Sequence, residues 1–154
     1  MISFPVIQGV TTRRLSLIPD ERGFLMEALR SDWSEFIKFG QAYITACYPA
    51  MIKAWHYHKK QWDNFVCVQG MIKLVLYDDR NKSVTKGRLI ELFIGDHNYC
   101  LVKIPAGVWN GFKCVSRKQA LVANCATIPH RPGEIARMDP FTKKIPYNWE
   151  LKHG

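Results

Sequence analysis

The chain has 154 residues and a mass of 17.8 kDa, which is the size of one domain. Hydrophobic residues make up 47% of it and charged residues 23%, so it can bury a core and is not a disordered chain. No apolar run approaches the ~20 residues that span a bilayer, and Met1–Pro5 do not open a secretion signal, so we expect neither a membrane segment nor secretion.

The formal net charge of +9 favours an anionic partner, such as a nucleic acid, an acidic lipid or a phosphorylated small molecule, unless it only keeps the surface soluble. No dense run of lysine and arginine occurs, so nothing beyond the charge indicates nucleic-acid binding. The five cysteines are odd in number and form no Cys-x-x-Cys pair, which argues against a disulfide framework and a zinc knuckle. We therefore expect reduced thiols in a cytoplasmic protein.

Short runs rich in Val, Ile, Phe, Tyr and Thr alternate with turn residues along the whole chain. This pattern is typical of an all-β sandwich or barrel, which we predict as one domain over residues 1–154. Helix is expected only as a single turn over residues 31–36, and the chain beyond Pro129 is expected to form a short extension of loops and turns. The predicted strands are Val10–Leu17, Phe24–Ala28, Gln41–Cys47, Ile52–Tyr57, Asn64–Gln69, Met71–Tyr77, Arg88–Ile94, Cys100–Ile104, Gly111–Val115 and Ala120–Thr127.

The densest polar cluster surrounds two histidines in the fourth predicted strand. His56 and His58 are two residues apart, so on a strand both side chains project from one face, and Lys53 is near them in sequence. In a barrel that face can be the interior, which makes the pair a candidate functional site. The alternative is a solvated strand end.

Two segments resemble, in order, the two motifs of the cupin barrels, which are jelly rolls. The first has two histidines, a carboxylate and a hairpin glycine, and in the second Asn110 occupies the place of the usual metal-binding His. Two imidazoles and a carboxylate suit zinc, iron, manganese or nickel, but Asn is a poor fourth ligand, so we expect no bound metal and no cofactor. The matching residues are His56, His58, Asp63 and Gly70 in the first segment and Pro105, Gly107 and Asn110 in the second.

A larger part of the chain, from about Gly9 to Trp149, resembles the dTDP-4-dehydrorhamnose 3,5-epimerases. His56 follows Gln41 at the interval found in that family, and Lys53 replaces an Arg. The matching segments are Asp20–Glu27, Gln41, Lys53–His56, Val75–Arg80 with Ser83–Thr85, Ile104–Phe112, Arg137–Pro140 and Ile145–Trp149.

The resemblance implies a homodimeric, metal-independent cupin that epimerises a nucleotide-diphospho-4-keto-6-deoxy sugar for polysaccharide precursor synthesis. His56 would be the general base that removes a proton next to the C4 ketone, since a positioned His can do this at neutral pH. Lys53 would stabilise the resulting enolate. His130 stands where the family has its proton-donating Tyr.

The same resemblance assigns the substrate contacts. Arg22 and Glu27 would lie at the nucleotide, with Arg22 on the diphosphate and contributed across the dimer. A diphosphate also accounts for the basic charge, so neither a nucleic acid nor a membrane is expected as partner. The other predicted substrate-binding residues are Gln41, His58, Asp63 and Asn110.

The sequence departs from the family in ways that leave alternatives open. A Lys of the family falls on Asp63, and the family's C-terminal Leu-Ser-x-Lys-Asp segment has no counterpart before Gly154. If His130 lies on a surface loop, Tyr43, Tyr57 or water would donate the proton. The His58-Lys59 pair also resembles the sugar 3,4-ketoisomerases, and a cupin that binds the nucleotide sugar without turning it over is the remaining alternative.

Overall fold

The computed structural model describes residues 6–152, over which the chain forms twelve strands and no helix. This confirms the predicted all-β class. Within these residues there is no helix that could cross a membrane. Met1–Pro5, on which the expectation about secretion depends, lie outside the described residues. The strands are β1 Thr11–Arg14, β2 Ile18–Asp20, β3 Gly23–Leu25, β4 Gln41–Cys47, β5 Ile52–His58, β6 Asp63–Gln69, β7 Met71–Asp78, β8 Leu89–Gly95, β9 Cys100–Ile104, β10 Val108–Cys114, β11 Ala120–Ala126 and β12 Ile135–Arg137.

Within residues 6–152 ten of the strands form two antiparallel sheets of five strands each. Sheet I has the order β1-β9-β6-β11-β4 and sheet II the order β12-β5-β10-β7-β8, while β2 and β3 form a separate hairpin. Most neighbours within a sheet are distant in sequence, as the crossing connections of a jelly roll require. The predicted cupin jelly roll is confirmed.

The main core lies between the two sheets, because alternate residues of each strand point inward. In β6, Phe65 and Cys67 enter this core, whereas Val66 faces outward. In β7 the same alternation sends Ile72, Leu74 and Leu76 inward. These side chains are almost fully buried and fill the space between the two sheets.

Two irregular segments cover the outer faces of the sheets. The segment around Met26, Leu29 and Trp33 packs on sheet I, where the expected helical turn is replaced by two successive turns. The C-terminal segment packs Ile145 and Trp149 on sheet II. Each sheet is therefore covered on its outer face as well as by the other sheet.

The expectation that the chain beyond Pro129 forms only loops and turns is wrong in one respect. Residues Ile135–Arg137 form β12, which pairs with β5 and places Arg137 opposite His56. A strand of three residues carries no detectable alternation of its own and forms because β5 offers an unpaired edge. The other strand that was not predicted, β2, is equally short and contains Pro19.

A buried carboxylate fixes the turn after β7. The carboxylate of Asp78 is fully buried and accepts hydrogen bonds from Arg80 Nε at 2.8 Å and from the hydroxyls of Ser83 and Thr85 at 2.6 Å each. Burial acts to raise the pKa of Asp78, but these hydrogen bonds hold it well below its usual range. Thr85 Oγ1 also accepts the backbone N–H of Gln8 at 2.9 Å, so the network ties the N-terminal segment to sheet II.

We expect Asp78→Ala to lower the free energy of unfolding by about 3 kcal/mol, because it leaves the guanidinium of Arg80 without its buried partner. The neighbouring Asp79 is the matched control, since its carboxylate is exposed and lies 3.9 Å from Lys86. Asp79→Ala should cost less than about 0.5 kcal/mol. Urea unfolding of both variants measures the difference, and equal effects would contradict a structural role for the Asp78 network.

Candidate active site

An open cavity of about 390 Å³ lies between the sheets at the edge where β4 faces β5 and β12. Its floor is formed by Phe65 and Phe112, whose rings meet edge to face at 6.2 Å. Its walls are polar and come from both sheets. The lining residues are Gln41, Tyr43, Thr45, Lys53, His56, His58, Gln61, Phe65, Phe112, His130, Ile135 and Arg137.

A bulge in β5 brings Lys53 and His56 to the same wall of this cavity. Three residues separate them, so regular alternation would place them on opposite faces of the strand. The register against β10 shifts between the pairs His56↔Asn110 and Lys53↔Phe112, so that two residues of β5 oppose Gly111 alone. A Cβ at Gly111 would overlap the Cβ of Ala54, so only glycine leaves room for the bulge.

The surroundings of His56 keep its imidazole uncharged at neutral pH. Its side chain is partly buried in the cavity wall. Burial above all, together with the positive charges of His58, Arg137 and Lys53, lowers the pKa of His56 from 6.5 to about 4. At neutral pH the imidazole is therefore uncharged and can accept a proton.

His58 is held from behind by two polar side chains. Its Nε2 lies 3.1 Å from Gln61 Nε2 and 3.6 Å from Asp63 Oδ2, and Gln61 in turn donates to Asp63 Oδ1 at 2.7 Å. Burial raises the pKa of Asp63, and the charge of His58 and the amide donors oppose that rise. The centres of the His56 and His58 rings are 6.4 Å apart, so one small ligand can touch both.

The facing wall, formed by sheet I, supplies hydroxyl groups. Tyr43 and Thr45 project from β4, and Thr45 Oγ1 accepts a hydrogen bond of 2.7 Å from Lys53 Nζ. The phenol oxygen of Tyr43 accepts a hydrogen bond of 2.9 Å from Asn124 Nδ2. The contact between Lys53 and Thr45 bridges the two sheets at the cavity and fixes the position of the ammonium group.

The electrostatics of the cavity favour an anion. Its lining contains the cations Lys53 and Arg137 and three histidines, but no carboxylate. The carboxylate of Asp63 is buried behind the cavity wall, where it accepts hydrogen bonds from the side-chain amides of Gln61 and Asn124. A cavity of this kind binds a negatively charged ligand and stabilises negative charge that develops during a reaction.

Comparison with known proteins assigns the chain to a family. The sequence model of the dTDP-4-dehydrorhamnose 3,5-epimerases matches residues 5–153. A probable low-salt glycan biosynthesis epimerase of Haloferax volcanii is 38% identical over 94% of this chain and 90% of its own length. A spore coat polysaccharide biosynthesis protein of Bacillus subtilis is 35% identical over 94% and 93% of the two chains. The chain belongs to the dTDP-4-dehydrorhamnose 3,5-epimerase family.

A solved structure supports the assignment. A dTDP sugar isomerase from Desulfovibrio desulfuricans is 40% identical and superimposes with a TM-score of 0.92 over 97% of this chain and 95% of its own. This chain is accordingly an isomerase-class enzyme, a nucleotide-sugar epimerase of glycan or polysaccharide biosynthesis. The predicted family and enzyme class are confirmed.

The structure brings five of the predicted site residues of this epimerase into the cavity and leaves four outside it. Asp63 and Asn110 are buried behind the wall, with 2% and 1% of their surface exposed, so neither reaches the cavity surface. Arg22 and Glu27 lie in and after the β2–β3 hairpin, paired with Asp20 and Arg30 respectively. The five that line the cavity are Gln41, Lys53, His56, His58 and His130.

Four further polar residues of the cavity lining were not among the predicted site residues. Tyr43 and Thr45 alternate with Gln41 along β4, so the period of two from Gln41 was a usable signal for both. Gln61 lies in the segment between β5 and β6 and matches no motif residue, so no pattern in the sequence indicated it. Arg137 reaches the cavity only because β12 pairs with β5, which no local pattern indicates.

The donor set of the site does not favour a metal ion. Among residues 6–152 no three His, Cys, Asp or Glu side chains converge in a way that could hold one. In the same range His58 Nδ1 and Asn110 Oδ1 are buried without a hydrogen-bond partner. A buried polar atom without a partner is costly. Of these two residues only His58 lines the cavity.

The low pKa of His56 predicts the acid limb of the pH–rate profile. A base works only when it is unprotonated, so kcat/KM should stay high below pH 6.5 and fall with a midpoint near 4. The rate profile and an NMR titration of the free protein, with His56→Asn to assign the ring signals, measure this. Fluorescence at each pH serves as the control for folding, and a midpoint near 6.5 would contradict the assignment.

Proposed function

We propose that this epimerase acts on a dTDP-linked 4-keto-6-deoxy hexose and inverts carbon centres next to the C4 ketone, with His56 as the general base. The neutral imidazole of His56 beside two cations, in a cavity lined by no carboxylate, is the observation that carries the proposal. We further infer a single catalytic domain that works in the cytoplasm, where its five free cysteines would stay reduced.

The reaction needs an acidic C–H bond next to the ketone and a group that stabilises the resulting enolate. The ketone acidifies the neighbouring C–H bonds, and His56 takes one of these protons while the electron pair moves to the ketone oxygen. Lys53, anchored by Thr45, is the cation that stabilises this oxygen. A proton then returns to the opposite face of the carbon, and His130 and Tyr43 both line the cavity as candidate donors.

The remaining cavity residues bind the substrate. His58, held by Gln61, and Gln41 supply hydrogen bonds to the sugar, and Asp63 acts behind them by positioning His58. Arg137 supplies positive charge for the diphosphate. We propose that no metal ion takes part, since Asn110 stands where the cupin motif carries its last His ligand.

We propose a homodimer in which the β2–β3 hairpin of one copy reaches the cavity of the other. Arg22 and Glu27 lie outside the cavity of their own chain, as such an exchange requires. The hairpin also exposes Ile18, Phe24 and Leu25 by 57–60%, a clustered apolar surface that is typical of interfaces. A two-fold dimer is the commonest assembly, and it would complete both sites at once.

The second candidate is a sugar 3,4-ketoisomerase, which the two imidazoles in one cavity favour. Like the epimerisation, it begins with removal of a proton next to the C4 ketone, here from C3, but the C4 oxygen is then protonated to give an enediol. A proton is added to C4 while the C3 hydroxyl loses its proton, so that the ketone moves to C3. Product NMR distinguishes the two, because an epimer retains the ketone at C4 and an isomer does not.

The role of His56 is tested with His56→Asn and dTDP-4-keto-6-deoxyglucose in D₂O. We expect a folded protein whose incorporation of deuterium next to the ketone falls by about 10²-fold or more, as for loss of a general base. His97→Asn is the control, because His97 is exposed and far from the cavity lining. Unchanged exchange in folded His56→Asn would exclude His56 as the base.

The exchange of hairpins is tested by mixing two inactive variants. A heterodimer of His56→Asn with Arg22→Ala carries both defects in one site and none in the other. Random assortment should therefore restore about a quarter of the wild-type activity at low substrate concentration. No recovery after mixing by unfolding and refolding, or a monomer by light scattering, would contradict the exchange.

A further inference from the structure

The proposed epimerisation, on which this inference rests, requires a proton donor on the side of the sugar opposite the base. Removing a proton and returning it from the same side leaves the configuration unchanged. A donor must therefore project into the cavity from the wall that faces His56. That wall belongs to sheet I, whereas His56 lies on sheet II.

Tyr43 projects from this facing wall. It lies on β4, its side chain lines the cavity, and 38% of its surface remains exposed. Its cross-strand partner on β11 is Asn124, whose side chain is fully buried and points to the same side of the sheet. The two side chains meet at 2.9 Å between Asn124 Nδ2 and the phenol oxygen.

The hydrogen bonds of Asn124 determine the direction of this contact. Its Oδ1 accepts the backbone N–H of Asn64 at 2.9 Å, and a backbone N–H can only donate, so the orientation of the amide is fixed. Its Nδ2 donates to Asp63 Oδ1 at 2.8 Å and to Tyr43. The phenol of Tyr43 is thus an acceptor in this bond and keeps its own hydrogen, for which residues 6–152 offer no acceptor.

We propose that Tyr43 is the catalytic acid, which protonates the enolate on the face opposite His56. The phenol O–H bond breaks, a C–H bond forms at the inverted centre, and the electron pair of the enolate supplies it. His56 is left as an imidazolium and Tyr43 as a phenolate, which the N–H of Asn124 stabilises. Transfer of the proton from His56 to Tyr43 through solvent restores both groups.

The protonation state fits this role. Burial raises the pKa of Tyr43 and the charge of Asp63 adds to the rise, while the hydrogen bond from Asn124 opposes it. The phenol is therefore protonated at neutral pH, where the imidazole of His56 is uncharged. An acid and a base with such different pKa values are both in their working forms at neutral pH.

The two competing donors fit less well. His130 is exposed on the loop after β11 and makes no side-chain hydrogen bond within residues 6–152 that would fix its direction. Tyr57 lies between the two histidines on β5 but points to the other face, where its ring meets Trp109 at 4.5 Å. It does not line the cavity and serves as a matched control.

The test compares deuterium exchange with inversion in Tyr43→Phe, using dTDP-4-keto-6-deoxyglucose in D₂O. Loss of the hydroxyl should lower formation of the epimer by about 10²-fold or more, while the hydrogens next to the ketone still exchange through His56. Tyr57→Phe should form the epimer at nearly the wild-type rate, because its hydroxyl lies on the other face of β5. His130→Gln should keep the wild-type ratio of inversion to exchange, whatever its effect on substrate binding. Retained exchange also shows that the Tyr43→Phe site is folded.

Two outcomes would overturn the assignment of Tyr43, and a third would overturn the proposed function. Full epimerisation by Tyr43→Phe would exclude Tyr43 as the acid, and if His130→Gln then failed, His130 would take the role. Tyr43→Phe could also lose both exchange and inversion while it still binds dTDP and melts like the wild type. The hydroxyl would then be needed for proton removal as well, and its role would not be that of the acid only. Wild-type protein that neither exchanges nor epimerises would instead overturn the proposed function itself.

Discussion

The bulge of β5 is the constraint on which the active site depends. It inserts one residue opposite Gly111, so that Lys53 and His56 share the inner face while Ala54 and Trp55 both face outward. The outward turn of Trp55 is stabilised by the C-terminal segment, since its indole donates to Pro140 O at 3.1 Å. Packing on the outer face of sheet II thereby fixes the spacing of His56 and Lys53 on its inner face.

The electrostatic arrangement of the cavity follows from the same geometry. Burial is the main reason that the imidazole of His56 stays unprotonated in the free enzyme, and the charges of His58, Arg137 and Lys53 add to it. In the proposed reaction Lys53 also stabilises the oxygen that becomes negative once His56 has taken a proton. The two effects work in sequence rather than in conflict. Because the side chains of Lys53 and Arg137 are exposed, their charges carry little of the desolvation penalty of a buried cation.

The sequence predicted the fold better than the site. The bounds of β4 and β9 were predicted as they occur, because alternation and flanking turns are local signals. Arg137 could not be predicted, since β12 exists only through its pairing with β5. The bulge could not be predicted either. The spacing of His56 and His58 indicated that both lie on one face of the strand, but only the register against β10 shows that Lys53 lies on the same face.

Asp63 was predicted to be a polar residue of the site, but the groups that it contacts could not be predicted from the sequence. A carboxylate after two histidines suggests a contact to a ligand, yet this one accepts hydrogen bonds from Gln61 beside His58 and from Asn124 beside Tyr43. It therefore joins the two walls of the cavity through one buried network. Because Asp63 Oδ1 accepts from Gln61 and Asn124, the orientation of groups on both sheets depends on this one carboxylate. The facing arrangement of imidazole and phenol is thus a property of the whole sandwich and of no single strand.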